Sequence, residues 1–262
     1  MSGVDWNGIL RLPDAALAGD RRIPKTVLVK QAMLTKTEQK RLDKVARLEH
    51  FATVQNSTTR IPPYEDDERN VQSVVFLRCE MAAGTMAVAE VAELVHKCFP
   101  NPTVLLIEAN GRTCVSVALT RKSQAEQGAT VVDRIEATGA FDPGRPGYAP
   151  FLDALDFAKL PQDDLLAYLQ GIAWAVRLSR SITSLGFYPM CADRNREQLG
   201  KLIARSDALA KEVSDNRQRR RDRGLSLNES AKLRVDTKRL EAEFDSVMGL
   251  IKSICTLGDT VE

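Results

Sequence analysis

The chain lacks most of the short motifs that mark catalytic sites. Its two histidines, His50 and His96, are not near a Gly-x-Ser-x-Gly turn, so a hydrolase triad would have no base. Gly-x-x-x-x-Gly-Lys and Gly-x-Gly-x-x-Gly phosphate-binding turns do not occur in the sequence. Its Cys and His spacings fit no metal site, so we expect no cofactor and find no constellation of catalytic residues.

Cysteines and long apolar runs are also scarce. The five cysteines form no Cys-x-x-Cys pair, which argues against a zinc ribbon and a disulfide framework. Cys79, Cys98 and Cys114 lie in apolar runs, where a free thiol packs as a small hydrophobe. No run approaches the roughly 18 apolar residues of a membrane span, and the N-terminus has no apolar block typical of a signal peptide. We therefore expect a cytoplasmic protein without a membrane partner.

The stretch from Asn70 to Ile135 holds most of the β-type sequence. It predicts a strand, a helix over 83–99, and three further strands, with Asn110-Gly111 as a hairpin turn. The strands are expected at residues 71–77, 104–107, 114–119 and 130–135. This order predicts an α+β fold with a small mixed sheet flanked by helices.

The residues before this stretch predict a short helix and a loop. Thr35 and Glu38 form a capping box, and the helix they begin is assigned an apolar face of Leu42, Val45, Ala46 and Leu48. A strand is expected from His50 to Gln55, followed by a polar loop over 57–67. The acidic run at 65–68 could bind a divalent cation, although a solvated loop is the favoured interpretation.

Breaker residues and a change of composition divide the chain into three predicted parts. An α+β domain spans 1–150, a helical segment that packs on the sheet spans 151–192, and an antiparallel helical hairpin spans 193–262. The first hairpin helix is expected from Arg194 to Arg223, Gly224 marks the turn, and a Ser226 and Glu229 capping box begins the second helix. The predicted seams are Leu199, Leu202, Ile203, Leu209 and Val213 on the first helix, and Leu240, Phe244, Val247, Ile251 and Ile254 on the second.

Net charge is only +2, from 37 basic and 35 acidic residues, so any basic site must be local. The sharpest such feature is a cluster of five arginines near the predicted hairpin tip. Its members are Arg217, Arg219, Arg220, Arg221 and Arg223. They could clamp phosphates or an acidic partner as forked donors. The alternative is a solvated helix end whose charges favour the helix dipole.

A metal-dependent nuclease of the restriction type is a second hypothesis for the small α+β core. Such a site needs carboxylates on adjacent strands to hold Mg²⁺ and a lysine to polarise the phosphate. The candidates are Glu80, Glu108 and Lys122, but no Glu-x-Lys element stands at a strand end.

Several short elements of the chain resemble a bacterial family known as domain of unknown function 4391. The matching elements are Leu12-Pro13, Ile23-Pro24-Lys25, Val71-Gln72, Phe99-Pro100-Asn101-Pro102 before Val104-Leu105-Leu106, Arg217-Gln218 and Leu225-Ser226-Leu227-Asn228. Ile23, Pro24, Lys25, Gln72 and Asn228 are therefore retained as family-motif positions. Asn70 departs from the acidic residue expected in relatives, which counts against an acidic active site on this strand.

The resemblance implies a genomic context rather than an activity. Such proteins look like companions of helicases and DNA methyltransferases in bacterial restriction or phage-defence clusters. The expectation is a non-catalytic accessory subunit that docks on a helicase or methyltransferase partner and whose C-terminal hairpin holds either a partner helix or the DNA backbone. The alternatives are a cryptic nuclease of the same system and a homo-oligomeric scaffold built on the hairpin helices.

Overall fold

The computed structural model describes residues 3–85, 87–99, 101–125, 128–221 and 226–256. Its strands are β1 (Leu17–Arg22), β2 (Val45–Gln55), β3 (Tyr64–Glu65), β4 (Asn70–Val71), β5 (Ser73–Met81), β6 (Thr103–Ala109), β7 (Arg112–Lys122) and β8 (Thr130–Ala137). Its α-helices are α1 (Trp6–Leu10), α2 (Lys25–Gln31), α3 (Lys36–Leu42), α4 (Asn56–Thr59), α5 (Val88–Cys98), α6 (Ala149–Asp153), α7 (Leu165–Ser179), α8 (Ile182–Leu185), α9 (Arg196–Arg219) and α10 (Leu227–Thr256). The fold class is α+β, as predicted.

Six strands form one mixed sheet in the order β1-β2-β5-β6-β7-β8. β5 and β6 are parallel and are joined through α5, because a parallel pair needs a crossover connection. The other neighbours are antiparallel, and β6 and β7 meet at a tight turn. Asn110 and Gly111 of that turn have φ of 50° and 75°, as their residue types allow. The predicted strand–helix–strand–strand–strand order is confirmed.

Helices cover both faces of this sheet. On one face α5 packs on the strands, with α2 and α3 packed beside it. The buried residues of this layer include Leu77, Leu105 and Ile107, together with the three thiols of Cys79, Cys98 and Cys114. The thiols are buried hydrophobes, as predicted. α7 packs mainly on β7 and β8, where the alternate strand residues face away from α5.

The capping box predicted before α3 is present. Glu38 accepts hydrogen bonds from the backbone amide and hydroxyl of Thr35 at 2.9 and 2.8 Å, and its own amide donates to the Thr35 hydroxyl. Lys97 of α5 donates to the second carboxylate oxygen at 2.5 Å. These hydrogen bonds, above all that from Lys97, lower the pKa of Glu38 from 4.5 to about 2.

The predicted apolar face of α3 is correct for Leu42 and wrong for its other three residues. Leu42 ends the helix, whereas Val45, Ala46 and Leu48 belong to β2, which begins five residues before the predicted strand. A register shift between Val45 and Arg47 interrupts the alternation of β2. The bulge leaves apolar residues at spacings that match a helix, although pairing with β5 makes the segment a strand.

The contacts divide the chain into a sheet unit, residues 1–180, and a hairpin unit, residues 181–262. Within the hairpin unit α9 and α10 pack against each other, and α10 also contacts α8. The predicted seams are buried or half-buried, from Leu199 to Val213 on α9 and from Leu240 to Ile254 on α10. Gly224 lies outside the described residues, and the three-part division predicted from the sequence stays a prediction.

None of the described helices combines the length and the apolar composition that crossing a membrane requires.

Candidate nucleic-acid interface

The arginine cluster lies at the end of α9, beyond the residues that pack on α10. Val213 is the last buried residue of α9, and from Ser214 to Arg221 only Asn216 is even half-buried. The apolar stripe therefore ends before the arginines begin. α9 ends at Arg219, so the cluster also adds positive charge where the helix dipole is negative.

The arginines point in different directions around the helix axis. Successive α-helical residues are about 100° apart, so Arg217 and Arg219 lie on opposite sides of α9, which ends at Arg219. Arg217 and Arg221 line one shallow groove of about 440 Å³, together with Ala210, Val213, Ser214 and Gln218. Arg219 and Arg221 line a second groove with Asp215 and Gln218, so the cluster is distributed around the helix end.

One arginine of the cluster is tied to α10. The Arg217 guanidinium donates to Oε1 of Glu241 at 2.7 Å across the hairpin. Arg219 lies near Glu229, whose pKa is lowered first by hydrogen bonds from Ser226 and to a smaller extent by the Arg219 charge. Among the residues that the structure describes, no ion pair joins the exposed Arg220 and Arg221 to a carboxylate. Arg223 lies outside the described residues.

The predicted hairpin geometry is confirmed by contacts on both sides of the turn. Ser226 and Glu229 form the capping box that begins α10, with the Ser226 hydroxyl donating to Glu229 at 2.7 Å. Farther from the turn, Arg205 of α9 donates to Glu243 of α10 at 3.0 Å through Nε. Arg219 near Glu229 and Arg205 on Glu243 show that the helices run antiparallel, with the arginine cluster at the tip.

The hairpin tip carries a local excess of positive charge. Residues 210–241 hold ten Lys and Arg against six Asp and Glu, a net charge of +4. The other charged residues of the hairpin unit, in 193–209 and 242–262, are five Lys and Arg and seven Asp and Glu. The sheet unit contains 22 Lys and Arg and 22 Asp and Glu. The near-neutral composition of the chain therefore conceals one local excess of positive charge on the hairpin.

Two of the three nuclease candidates are brought together and the third is not. Glu80 and Glu108 are register partners on the parallel strands β5 and β6. Glu108 already accepts from Arg78 at 3.1 Å and from the Trp6 indole at 3.2 Å. Lys122 ends β7 and lies nine residues beyond Thr113, the residue that pairs with Glu108. At about 3.3 Å per residue, Lys122 is therefore roughly 30 Å from Thr113 along the strand.

The acidic run at 65–68 is engaged in contacts within the sheet unit. Glu65 accepts from the Lys122 ammonium at 3.0 Å, and Asp66 accepts from the Tyr64 hydroxyl at 2.7 Å. The Asp66 pKa is lowered, mainly by that hydrogen bond and then by the backbone amide of Arg69. In the parts of the chain that the structure describes, no group of three or more His, Cys, Asp and Glu residues could hold a metal ion.

His96 is a buried residue of the helix-to-sheet layer. A ring nitrogen of His96 lies 2.9 Å from the Ser116 hydroxyl, and burial lowers the pKa of the ring from 6.5 to about 4. His50 lies 2.7 Å from the hydroxyl of Thr53, a close neighbour along β2. Neither contact joins a histidine to a nucleophile–carboxylate arrangement.

The family model described as domain of unknown function 4391 matches residues 10–244. The chain belongs to this family. The matched range covers the sheet and extends past the arginine cluster into α10, so most of the hairpin is part of the family domain. No curated protein and no solved structure matches the chain.

The positions predicted as family motifs are spread over the fold. Ile23 donates its amide to Leu48 at 2.8 Å, Pro24 is the N-cap of α2, and Lys25 begins that helix. The exposed Gln72 donates to Asn70 at 2.7 Å. Asn228 is exposed in the first turn of α10.

Sequence reasoning missed a polar network that joins α1 to the end of the parallel strands. Trp6 is buried and donates to Glu108, which also accepts from Arg78. The backbone at Gly3 also lies close to Arg78, since a Cβ at Gly3 would be 2.6 Å from the Arg78 guanidinium. The tryptophan in the N-terminal segment was the signal that could have indicated it.

Proposed function

We propose that this protein is a non-catalytic accessory subunit of a bacterial DNA-targeting, restriction-like defence complex. In this proposal the chain docks on a helicase or DNA methyltransferase, and the hairpin tip contacts the DNA backbone. The defence context is supported only by the chain's resemblance to companions of helicases and methyltransferases, since the matched family is described as a domain of unknown function. The observation that carries the DNA contact is the local net charge of +4 at residues 210–241, with exposed arginines beyond the packed seam.

Phosphate is the ligand that this tip chemistry fits. A guanidinium presents forked donors that match phosphate oxygens, and it stays charged at all working pH values. Arginines distributed around a helix end can reach phosphates on more than one side, but they carry no fixed geometry for reading base edges. The expected binding is therefore electrostatic, independent of base sequence and strongly salt-dependent.

DNA binding by the purified chain tests this role. Anisotropy of a labelled duplex, measured over a series of salt concentrations, should give a steep negative slope of log affinity against log salt. Arg219→Ala/Arg220→Ala/Arg221→Ala should make that slope shallower by about 2 to 3, because each lost phosphate contact removes roughly 0.9. A wild-type slope in this variant would refute the contact.

A matched control separates the tip from charge in general. Arg112, Arg145 and Lys159 are exposed cations of the sheet unit that lie away from the tip in sequence. Replacing these three by Ala changes the net charge by the same amount and should leave the salt slope close to that of the wild type.

The proposed partner has a test of its own. A helicase or methyltransferase chain should co-purify stoichiometrically with this protein, and the absence of both would refute the accessory role.

Nuclease activity is the second candidate, because Glu80 and Glu108 are neighbours at the carboxyl ends of parallel strands. Incubation of plasmid with the protein and Mg²⁺ or Mn²⁺ tests it directly. Cleavage that is lost in Glu80→Ala or Glu108→Ala would favour this role. The hydrogen bonds that Glu108 accepts from Trp6 and Arg78 favour a structural carboxylate instead.

A homo-oligomeric scaffold is the third candidate and rests on an incompletely covered seam. Phe244 is only half-buried although it continues the heptad of α10, and it lines a groove of about 490 Å³ with Val213 and Ala210. A second hairpin could cover this groove. Light scattering should then show a dimer that Phe244→Asp dissociates, and a monomeric wild type would exclude it.

A further inference from the structure

The most basic segment of the chain lies in the sheet unit. Residues 21–47 contain nine Lys and Arg but only two Asp and Glu, a net charge of +7. The sheet unit as a whole is neutral, so the rest of that unit carries the balancing negative charge. This excess exceeds the +4 at the hairpin tip and occupies a shorter stretch.

The fold gathers this segment at one side of the sheet. It comprises the end of the edge strand β1, then α2 and α3, and the first residues of β2. β1 pairs with β2 through Arg22 and Glu49, and both helices pack on α5. Residues that are adjacent in sequence are therefore also held together by pairing and packing, on elements whose inner side contacts the core.

Most of the positive charge in this segment is not neutralised. Arg41 and Lys44 share Glu90 of α5 at 3.5 and 3.7 Å, and Arg47 pairs with Glu49. In the described parts of the chain, the other six cations have no carboxylate within ion-pair distance. They are Arg21, Arg22, Lys25, Lys30, Lys36 and Lys40, and all but the half-buried Lys25 are exposed.

An apolar side chain projects from the middle of these cations. Met33 is 88% exposed and has a φ of 45°, in the loop between α2 and α3. A left-handed conformation is uncommon for a residue other than glycine, and such an exposed methionine leaves its apolar surface in water. Lys30 and Lys36 flank it in sequence, and Leu34 beside it is buried. The loop is thus fixed to the core while Met33 faces outward.

We propose that residues 21–47 form a second nucleic-acid surface, on which the unpaired cations bind duplex phosphates and Met33 inserts between bases. Apolar wedges such as methionine, surrounded by basic residues, partly unstack base steps in proteins that grip the minor groove. Lysines supply phosphate attraction without base readout, so the surface binds duplexes regardless of sequence. This proposal does not depend on the arginine cluster.

The apolar surface is too small for membrane attachment. The apolar residues of α2 face inward, since Leu28 is fully buried and Val29 packs against the core. Val27 and Met33 are the large apolar side chains that the described part of this segment exposes. An interfacial helix needs a whole apolar face to enter the lipid boundary, which α2 does not present.

The test compares two triple variants of the full chain. Lys30→Ala/Lys36→Ala/Lys40→Ala should bind a labelled duplex roughly 100-fold more weakly near physiological salt and make the salt slope shallower by about 2 to 3. The control Arg112→Ala/Arg145→Ala/Lys159→Ala changes charge equally within the same unit and should bind like the wild type. Equal affinities of the two variants would overturn the proposal.

The wedge has a separate measurement. Met33→Ser should weaken duplex binding about tenfold without changing the salt slope, because it removes apolar contact and no charge. Met190→Ser, at a methionine that is 60% exposed in the hairpin unit, is the matched control and should have no effect. Wild-type affinity in Met33→Ser would overturn the wedge.

The remaining outcomes identify other partners or assign failure to one site. If phosphatidylserine vesicles bind the wild type and lose binding in the lysine variant, while duplex binding is unchanged, a membrane partner replaces the proposal. A wild-type salt slope in Arg219→Ala/Arg220→Ala/Arg221→Ala refutes the hairpin contact alone. A wild-type slope in the lysine variant refutes this surface alone.

Discussion

The sheet unit is neutral as a whole, with 22 basic and 22 acidic side chains and a basic excess in residues 21–47, whereas the hairpin unit has a net charge of +2. The hairpin tip carries +4 and the rest of its charged residues carry −2. The two units also differ in how much of each element they bury. Every residue of β6 except Glu108 is buried, whereas α9 buries a single stripe of residues. Most of the stabilising burial therefore lies in the sheet. We expect that charged residues at the hairpin tip can be substituted with little change in the free energy of unfolding.

The largest effect is expected in the sheet core. Leu105 is fully buried on β6, so Leu105→Ala should lower the free energy of unfolding by about 2 to 5 kcal/mol through lost burial and a cavity. Urea denaturation measures the change. Arg145→Ala, at an exposed site in the same unit, is the control and should change it by less than about 0.5 kcal/mol.

Acid should weaken the sheet unit through His96. Its folded pKa of about 4 lies below the ordinary 6.5, so the unfolded chain takes up the proton first and stability falls as pH decreases from 6.5 to 4. The loss attributable to this group is at most about 3 kcal/mol. Denaturation of wild type and His96→Gln across this window should show a smaller decrease in the variant. Parallel pH profiles would contradict the assignment.

A smaller effect is expected for the seam near the hairpin tip. Leu240 of α10 is buried where α10 packs on α9, so Leu240→Ala should lower the free energy of unfolding by about 1 to 3 kcal/mol and expose the tip to solvent first. Amide hydrogen exchange should accelerate in the adjoining turns of α9 and α10 while β6 remains protected. Equal acceleration in β6 would mean that the two units do not unfold separately.

The capping carboxylate should give a still smaller, pH-limited effect. Because the folded pKa of Glu38 is about 2, its stabilising effect is complete above 4.5 and is lost as pH falls toward 2. Glu38→Gln should therefore be less stable than the wild type at neutral pH and should converge with it near pH 2. Lys40→Ala, an exposed change on the same helix, should show no such convergence.

The smallest effect on stability is expected at the tip itself. Arg219→Ala/Arg220→Ala/Arg221→Ala should change the free energy of unfolding by less than about 1 kcal/mol, since these exposed residues contribute mainly through the helix dipole. Thermal unfolding followed by circular dichroism measures this. A large loss of stability would favour a structural role of the cluster over ligand binding.

Local patterns predicted the parts of the fold whose signals lie within a few residues. Capping boxes at Thr35 and Ser226, the Asn110 turn and the α10 heptad all depend on short spacings. The start of β2 was wrong because its bulge at Val45 disturbs the alternation and only pairing with β5 makes it a strand. The first part of β1 was not predicted as a strand, and Gly19 and Asp20 within it adopt left-handed conformations.

The candidate sites follow the same division. The arginine cluster is a run in sequence, and its place at the tip follows from the two seams that precede and follow it. The Trp6 contact with Glu108 joins residues 102 positions apart, which no local pattern encodes. The basic segment 21–47 could have been found by counting charge in windows, but its lysines are spaced apart and form no conspicuous run.

The thiols of Cys79, Cys98 and Cys114 all lie in the layer between α5 and the sheet, and burial raises the pKa of each, to about 12 for Cys79 and about 11 for Cys98. A thiol reacts as its thiolate, so these groups stay inert until that layer opens to water. The rate at which these thiols are alkylated therefore reports transient opening of the layer. Mass spectrometry can follow it without a probe introduced by mutation. The same burial protects the layer from oxidants that would otherwise convert a packing residue into a charged one.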